Sequence, residues 1–136
     1  MTSTACCQLP AKPPTLRVVP LPAETNPVGD VFAGWVMAQV DIAGGIAAMR
    51  RAGGRVVTVS VNSFLFRQAV SVGDIVSFYA DVLRVGNTSL TIKVEVFAER
   101  NHAPTEVVKV TEAELTYVSV DATGNKRPVP PEAPAE

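Results

Sequence analysis

Hydrophobic and polar positions divide this chain into one stretch of helical character followed by a long region of alternation. From Ala33 to Arg51 the chain is apolar on almost every side, interrupted by Gln39 and Asp41 before the terminal Arg50 and Arg51. A helix that is apolar all round must be wrapped by protein. Gly53-Gly54 supplies the stop, and Arg50 and Arg51 fall in the last turn, where the helix dipole favours cations. Beyond the two glycines the period drops to two. Val57, Val59 and Val61 share a face opposite Thr58, Ser60 and Asn62. Val76, Phe78, Ala80 and Val82 line a second strand, and Leu90, Ile92, Val94 and Val96 a third, with Thr91, Lys93 and Glu95 facing the other way. In a last strand, from about Val107 to Val120, Ala113, Leu115 and Tyr117 oppose Glu112, Glu114 and Thr116. Val85-Gly86-Asn87-Thr88 reads as a hairpin turn and Ser71-Val72-Gly73-Asp74 as another tight turn.

With a short strand from Leu16 to Val19 ahead of the helix, the order is strand, helix, then four long strands. No helix separates those four, so they form an antiparallel sheet. One face of that sheet must bury something, and only one helix is available. The expected class is α+β, with one long central helix wrapped by a curved antiparallel sheet of about five strands. The length of 136 residues fits one domain. Its expected limits are residues 15–122, between a flexible N-terminal tail (1–14) and a Pro-rich C-terminal tail (123–136). Pro-Val-Pro-Pro at 128–131 cannot pair in a central strand.

Charge and composition then narrow the function. Twelve basic against thirteen acidic residues argue against nucleic acid as the main partner, because phosphate binding needs clustered Lys and Arg. So small a net charge opposes self-association only weakly. A single histidine, His102, excludes sites that need two imidazoles, and its polar stretch from Glu99 reads as a surface loop. Ser60 and Ser63 lack a base partner. No metal-ligand spacing is present, so no metal is expected. Adjacent Cys6 and Cys7 offer no disulfide framework. The first fourteen residues lack the basic start and apolar run of a secretory signal, so a reduced, cytoplasmic setting is expected. Ala33 to Met49 is short for a bilayer span, and Asp41 near its centre would cost about 2.5–3.5 kcal/mol there. A core helix is expected instead of membrane insertion.

Asp41 is the first candidate for chemistry. A carboxylate midway along an apolar helix must be paired or sit in a cleft, so it is either a site residue or a structural acid. Gly44 and Gly45, one turn on, each weaken the helix by roughly 1 kcal/mol relative to Ala. That cost points to close approach of a ligand or another chain. The loop Thr25-Asn26-Pro27-Val28-Gly29-Asp30 is the second candidate, with an ordinary Asn-capped turn as the plainer reading. Near Gly34 the helix N-terminus offers free N–H groups suited to a developing oxyanion. Gly86, Thr88 and Ser89 form either a ligand-lining hairpin or a plain turn. Arg50, Arg51 and Arg55 either hold phosphates or lie solvated at a helix end.

The run from Thr25 to Gly45, Thr-Asn-Pro-Val-Gly-Asp-Val-Phe-Ala-Gly-Trp-Val-Met-Ala-Gln-Val-Asp-Ile-Ala-Gly-Gly, resembles the signature of YciA-type acyl-CoA thioesterases of the hotdog-fold superfamily. The likeness continues through Gly54-Arg55-Val56-Val57-Thr58-Val59, Val72-Gly73-Asp74, Thr88-Ser89 and Tyr117-Val118-Ser119-Val120-Asp121, spanning about residues 16–128. The resemblance implies an enzyme that hydrolyses acyl-CoA to free acid and CoA, with CoA part of the substrate and no separate cofactor. It implies a homodimer with sites between subunits, assembled further as a trimer of dimers. Asp41 matches the family's catalytic acid, as general base or nucleophile, and Asn26 its partner from the opposite subunit. Gly34 matches the glycine whose N–H polarises the thioester carbonyl. Thr88 and Ser89, with Gly86, match the hairpin along the pantetheine path, and Arg55 is a further substrate-binding candidate. Two departures stand out: Ala33-Gly34 where relatives typically carry Gly-Gly, and Gln68-Ala69 where they usually carry Arg-Pro. A non-catalytic acyl-CoA-binding module of the same fold is the alternative. A dehydratase is disfavoured because His102 lies in a polar loop late in the chain.

Overall fold

The computed structural model describes residues 8–101 and 103–132, so Cys6, Cys7 and His102 lie outside the described residues. Strand β1 (Leu16–Val18) and a single 3-10 turn (Pro22–Glu24) lead into helix α1 (Ala33–Ala52). Four strands follow: β2 (Val56–Phe66), β3 (Ile75–Val85), β4 (Ser89–Arg100) and β5 (Glu106–Ser119). They form one antiparallel sheet in the order β1-β3-β4-β5-β2, which leaves β1 and β2 as its edges. The α+β expectation and the strand order of the sequence are both met. No helix of the described residues is long and apolar enough to cross a membrane.

α1 lies across the concave face of the sheet. Its buried stripe is Val36, Val40, Ala43, Gly44, Ala48 and Ala52, small residues that let the helix sit close to the strands. Opposite them, Phe78 of β3, Ile92 and Val94 of β4 and Leu115 of β5 are buried to within 1%. The alternation in β4 is therefore real, and its inward set forms the floor of the core. Gly53 ends α1 in the left-handed conformation (φ 68°), where a side chain would be strained. After β5 the chain doubles back, and the Arg127 guanidinium donates to the Ala52 carbonyl at 2.7 Å, capping the helix. The Val129 N–H donates to Asn87 in the β3–β4 hairpin.

Two features differ from the sequence reading. The helix is wrapped on one side only within a single chain, because Met37, Ile42 and Met49 remain 43–49% exposed. The alternation in β2 is also broken. Pairing with β5 shifts between Thr58 and Ser60 and again between Val61 and Ser63. Each shift inserts an extra residue, and such bulges re-aim the side chains beside them. The result is an eleven-residue edge strand with Val59 and Val61 at least half exposed.

The tight turn at Ser71–Asp74 proves structural. Gly73 has φ 90°, and the buried Asp74 carboxylate accepts from the Ser71 N–H and from the Arg100 guanidinium, both at 2.9 Å. On the convex face Arg67 donates to Glu112 (2.9 Å), while Lys109 bridges Glu112 and Glu95. Hydrogen bonds from Lys109 and Arg67 hold the Glu112 carboxyl down at about 2, against an ordinary 4.5. A depressed acid stabilises the fold above its unfolded pKa and loses that contribution as pH falls through the folded value. Stability should therefore drop as pH falls from about 4.5 to 2. Chemical denaturation at stepped pH should show the wild type losing about 1 kcal/mol more than Glu112→Gln over that window, the partial exposure of the cluster limiting the gain. Parallel curves would remove Glu112 as a source of acid sensitivity.

Candidate active site

Asp41 sits on the third turn of α1 and turns toward the end of the sheet where β2 and β5 pair. The facing residues there are register partners, Thr58 of β2 and Tyr117 of β5. Thr58 Oγ1 donates to Asp41 Oδ1 at 2.7 Å. The Tyr117 hydroxyl lies 3.1 Å from the same oxygen and 2.8 Å from the Asp41 carbonyl oxygen, so its proton ties both helix backbone and carboxylate. Tyr117 is 1% exposed. Burial first, and the Asp41 charge second, push its hydroxyl well above the ordinary 10. It is thus a permanent donor near neutral pH. With Oδ1 held by two hydroxyls, Oδ2 has no donor among the described residues. Asp41 itself is exposed in the single chain. A carboxylate with one oxygen fixed and the other open can accept a proton from water or approach an electrophile.

Neither Thr58 nor Tyr117 stood out in the sequence, where both read as ordinary strand positions. The one signal, for Tyr117 alone, was Gly44. A Cβ at that position would lie 2.3 Å from the Tyr117 hydroxyl oxygen. At Gly44 the close approach is made by Tyr117 of the same chain, whereas a Cβ on Gly45 would meet Tyr117 only at an ordinary 3.8 Å.

Asn26 and Gly34 lie at the N-terminal end of the helix. The Asn26 side-chain oxygen accepts from the Val28 and Asp30 N–H groups, each at 3.0 Å. That leaves its Nδ2 hydrogens as the outward-facing donors. Gly29 turns the loop with φ 88°. Phe32 is the N-cap residue and makes no side-chain capping bond; Trp35 N–H donates to its carbonyl, while the Ala33 and Gly34 N–H groups lack intrahelical acceptors. A Cβ on Gly34 would meet nothing within 4 Å. The chain's own packing therefore does not require glycine there. Seven residues of helix separate Gly34 from Asp41, about 10 Å along the axis. One chain thus holds the carboxylate and the N-terminal donors too far apart to meet on one small group.

The remaining candidates gather at the end of the sheet that carries Thr58 and Tyr117. In the hairpin the Gly86 N–H donates to the Ser89 carbonyl at 2.8 Å, and a Cβ on Gly86 would come within 2.7 Å of Ser89 Oγ. The Thr88 carbonyl accepts from Ser119 N–H, next to Val120, whose N–H donates to the Arg55 carbonyl. Hairpin and Arg55 are thereby brought to the same end, three residues along β2 from Thr58. Arg51, Arg84 and Arg127 spend their guanidinium groups on Pro130, Thr91 and Ala52. The Arg55 guanidinium has no partner among the described residues and lines a cavity of about 400 Å³ with Gly54, Asp121 and Arg127. No cluster of three or more potential metal ligands occurs among the described residues.

A long helix lying in the concavity of a five-stranded antiparallel sheet, with its one helical acid anchored to the sheet, defines a hotdog-fold domain. The chain belongs to the thioesterase superfamily, whose family model matches residues 28–105. It is 44% identical over 117 residues to the acyl-CoA thioester hydrolase YciA of Salmonella typhimurium, covering 85% of this chain and 88% of that one. A hexameric hotdog-fold thioesterase of Campylobacter jejuni superposes with a TM-score of 0.83 at 44% identity, over 88% of this chain and 91% of that one. An aspartate-to-alanine mutant of a hexameric broad-specificity acyl-coenzyme A thioesterase gives 0.82 at 43% identity, over 86% of each chain. A Staphylococcus aureus acyl-CoA hydrolase, known as a threonine-to-alanine and an aspartate-to-alanine mutant, is 29% identical with TM-scores of 0.77 and 0.78, over 85% of this chain and 70% of that one. Its two substituted positions stand as far apart in sequence as Asp41 and Thr58.

Gly44→Ala tests the arrangement directly. An exposed helical Gly→Ala change stabilises by about 1 kcal/mol, but here the new methyl group collides with the Tyr117 hydroxyl. A net loss of about 1–3 kcal/mol is expected from overpacking. Tyr117→Phe removes the clashing oxygen, so in the Tyr117→Phe background the same methyl should cost markedly less. Additive losses in thermal melts of the four proteins would refute the contact.

Proposed function

We propose that this protein hydrolyses acyl-CoA thioesters to free acid and CoA, at sites that form only when two copies meet. The observation that carries this reading is the tethered Asp41, with one oxygen fixed by Thr58 and Tyr117 and the other open. β2 is a long edge strand with free backbone groups and exposed valines, a ready template for pairing. Antiparallel pairing of two β2 strands across a twofold sets the Thr58 half of one against the Phe66 half of the other. That brings Asp41 of one copy toward the helix N-terminus of its partner. The ~10 Å between Gly34 and Asp41 within one helix is then bridged by the symmetry instead of by the chain.

In this arrangement Asp41 acts on the thioester carbonyl carbon, through a water as general base or directly as nucleophile. The Gly34 N–H of the partner holds the developing oxyanion, a donor of a kind worth about 10²–10³-fold. The partner's Asn26, its Nδ2 hydrogens free, orients water or substrate. Tyr117 and Thr58 stabilise the carboxylate and fix its direction. The pantetheine arm runs past Gly86, Thr88 and Ser89, and Arg55 faces the phosphates. CoA enters as substrate and leaves as product, with no further cofactor. The dimers assemble as a trimer of dimers, and the protein works in the cytoplasm.

Thiol release from a panel of acyl-CoAs tests the activity. Asp41→Asn should cut turnover by about 10²–10⁴-fold, the span of a positioned base, with its melting temperature little changed. Mixing separately inactive Asp41→Asn and Asn26→Ala variants tests the shared site. After unfolding and refolding together, half of the dimers pair unlike copies and carry one intact site, restoring roughly a quarter of wild-type activity. A mixture as inactive as its components would place both residues in sites of one chain.

A further inference from the structure

The largest opening near the helix N-terminus is a cavity of about 410 Å³, within the roughly 300–1,000 Å³ usual for small-molecule sites. Seven of its ten lining residues are apolar: Val31, Val36, Val70 and Val110 are buried, Ala33 lies at the helix start, and Phe66 and Ala69 stand at its exposed side. Ala33, the residue before Gly34, forms part of its lining. Of its polar lining residues, Asp30 and Gln68 remain local, whereas the Arg67 guanidinium is drawn away to Glu112. The cavity therefore begins beside the N–H group assigned to the thioester oxygen and continues beneath the first turn of α1. A carbonyl held at Gly34 has two substituents, sulfur and the acyl carbon. Sulfur leads toward the hairpin and Arg55 at the other end of the partner's strand. The acyl carbon is left to point into the apolar space.

We infer that this cavity receives an aliphatic acyl chain, and that Ala69 at its mouth sets how long a chain it accepts. The inference rests on the thioesterase reading above. Ala69 contributes nothing but its backbone to the fold, where its carbonyl accepts from Arg100 at 3.0 Å. A larger side chain there leaves that bond intact and takes up the volume. Gln68 beside it supplies an amide at the rim, suited to a neutral chain and without charge to recognise an acidic one.

The test compares wild type, Ala69→Phe and Ala69→Ser by calorimetry with non-hydrolysable S-alkyl CoA thioethers: butyl, hexyl, octyl and decyl. Wild type and Ala69→Ser should gain up to about fourfold in affinity per methylene until the cavity is filled. Ala69→Phe should bind the butyl thioether as wild type does and lose tenfold or more on the octyl and decyl thioethers. Equal affinities along the wild-type series, or a series unchanged by Ala69→Phe, would overturn the inference. Hydrolysis of the matching acyl-CoAs, read in parallel, separates the two readings. Turnover with no length-dependent binding sinks the pocket alone, while length-dependent binding without turnover upholds the pocket and sinks the catalytic reading.

Discussion

The contact between the Tyr117 hydroxyl and Asp41 fixes the relation of the helix to the sheet. It joins the backbone of α1 to β5 and, in the same stroke, aims the Asp41 carboxylate. Everything around it is arranged for that approach. Gly44 removes the one Cβ that would block it, and Ala43, Ala48 and Ala52 keep the rest of the buried stripe small. Thr58, opposite Tyr117 on β2, supplies the second donor. Burial holds the tyrosine hydroxyl above its ordinary range, so it keeps its proton as a donor near neutral pH. A helix glycine that lowers intrinsic stability is thereby exchanged for a rigid placement of the one acid on the helix.

A second constraint is geometric. A single straight helix cannot bring its N-terminal amides to a carboxylate two turns further along. The chain leaves its helix half covered and its β2 edge open. Exposed edges of this length are usually blunted by charge or proline, and β2 carries valines there instead. In the proposed dimer, the same surface that would be a liability in a monomer brings the missing half of the site. Bulges in β2 add to this, since beyond Thr58 they break the alternation and leave Val59 and Val61 at least half exposed.

The fold was legible because its periodicities are clean where burial is one-sided. β4 shows it best: Leu90, Ile92, Val94 and Val96 alternate without interruption, and all four are fully buried. The helix limits were legible from Gly53-Gly54 and from the sustained apolar run. β2 defeated the same reasoning, because a bulge shifts the face without leaving a residue-type signature at Val59 or Asn62. Asp41 stood out as a charge in apolar surroundings. Its partners did not, since Thr58 and Tyr117 meet it across 17 and 76 residues and look like any strand residues. Only Gly44 carried a trace of the tyrosine, and sequence alone could not say whose atoms filled the gap. The tight turn at Ser71–Asp74 was legible from its glycine, but the buried ion pair of Asp74 with Arg100, 26 residues away, was not.

The proposed division of the site between copies bears on how readily it forms. Each half is already hydrogen-bonded within its own chain. The carboxylate is held by two hydroxyls on strands, and the Asn26 loop is closed on itself by two bonds to its own side chain. Little ordering remains to be done when the halves meet, so the association need not spend apolar burial on fixing loops. The exposed Met37, Ile42 and Met49 are then free to contribute their burial to the assembly itself. Pre-ordered halves also mean that chemistry and assembly fail differently. Loss of the Asp41 charge leaves both surfaces unaltered, whereas disruption of the β2 edge separates two intact halves that can no longer act on one carbonyl.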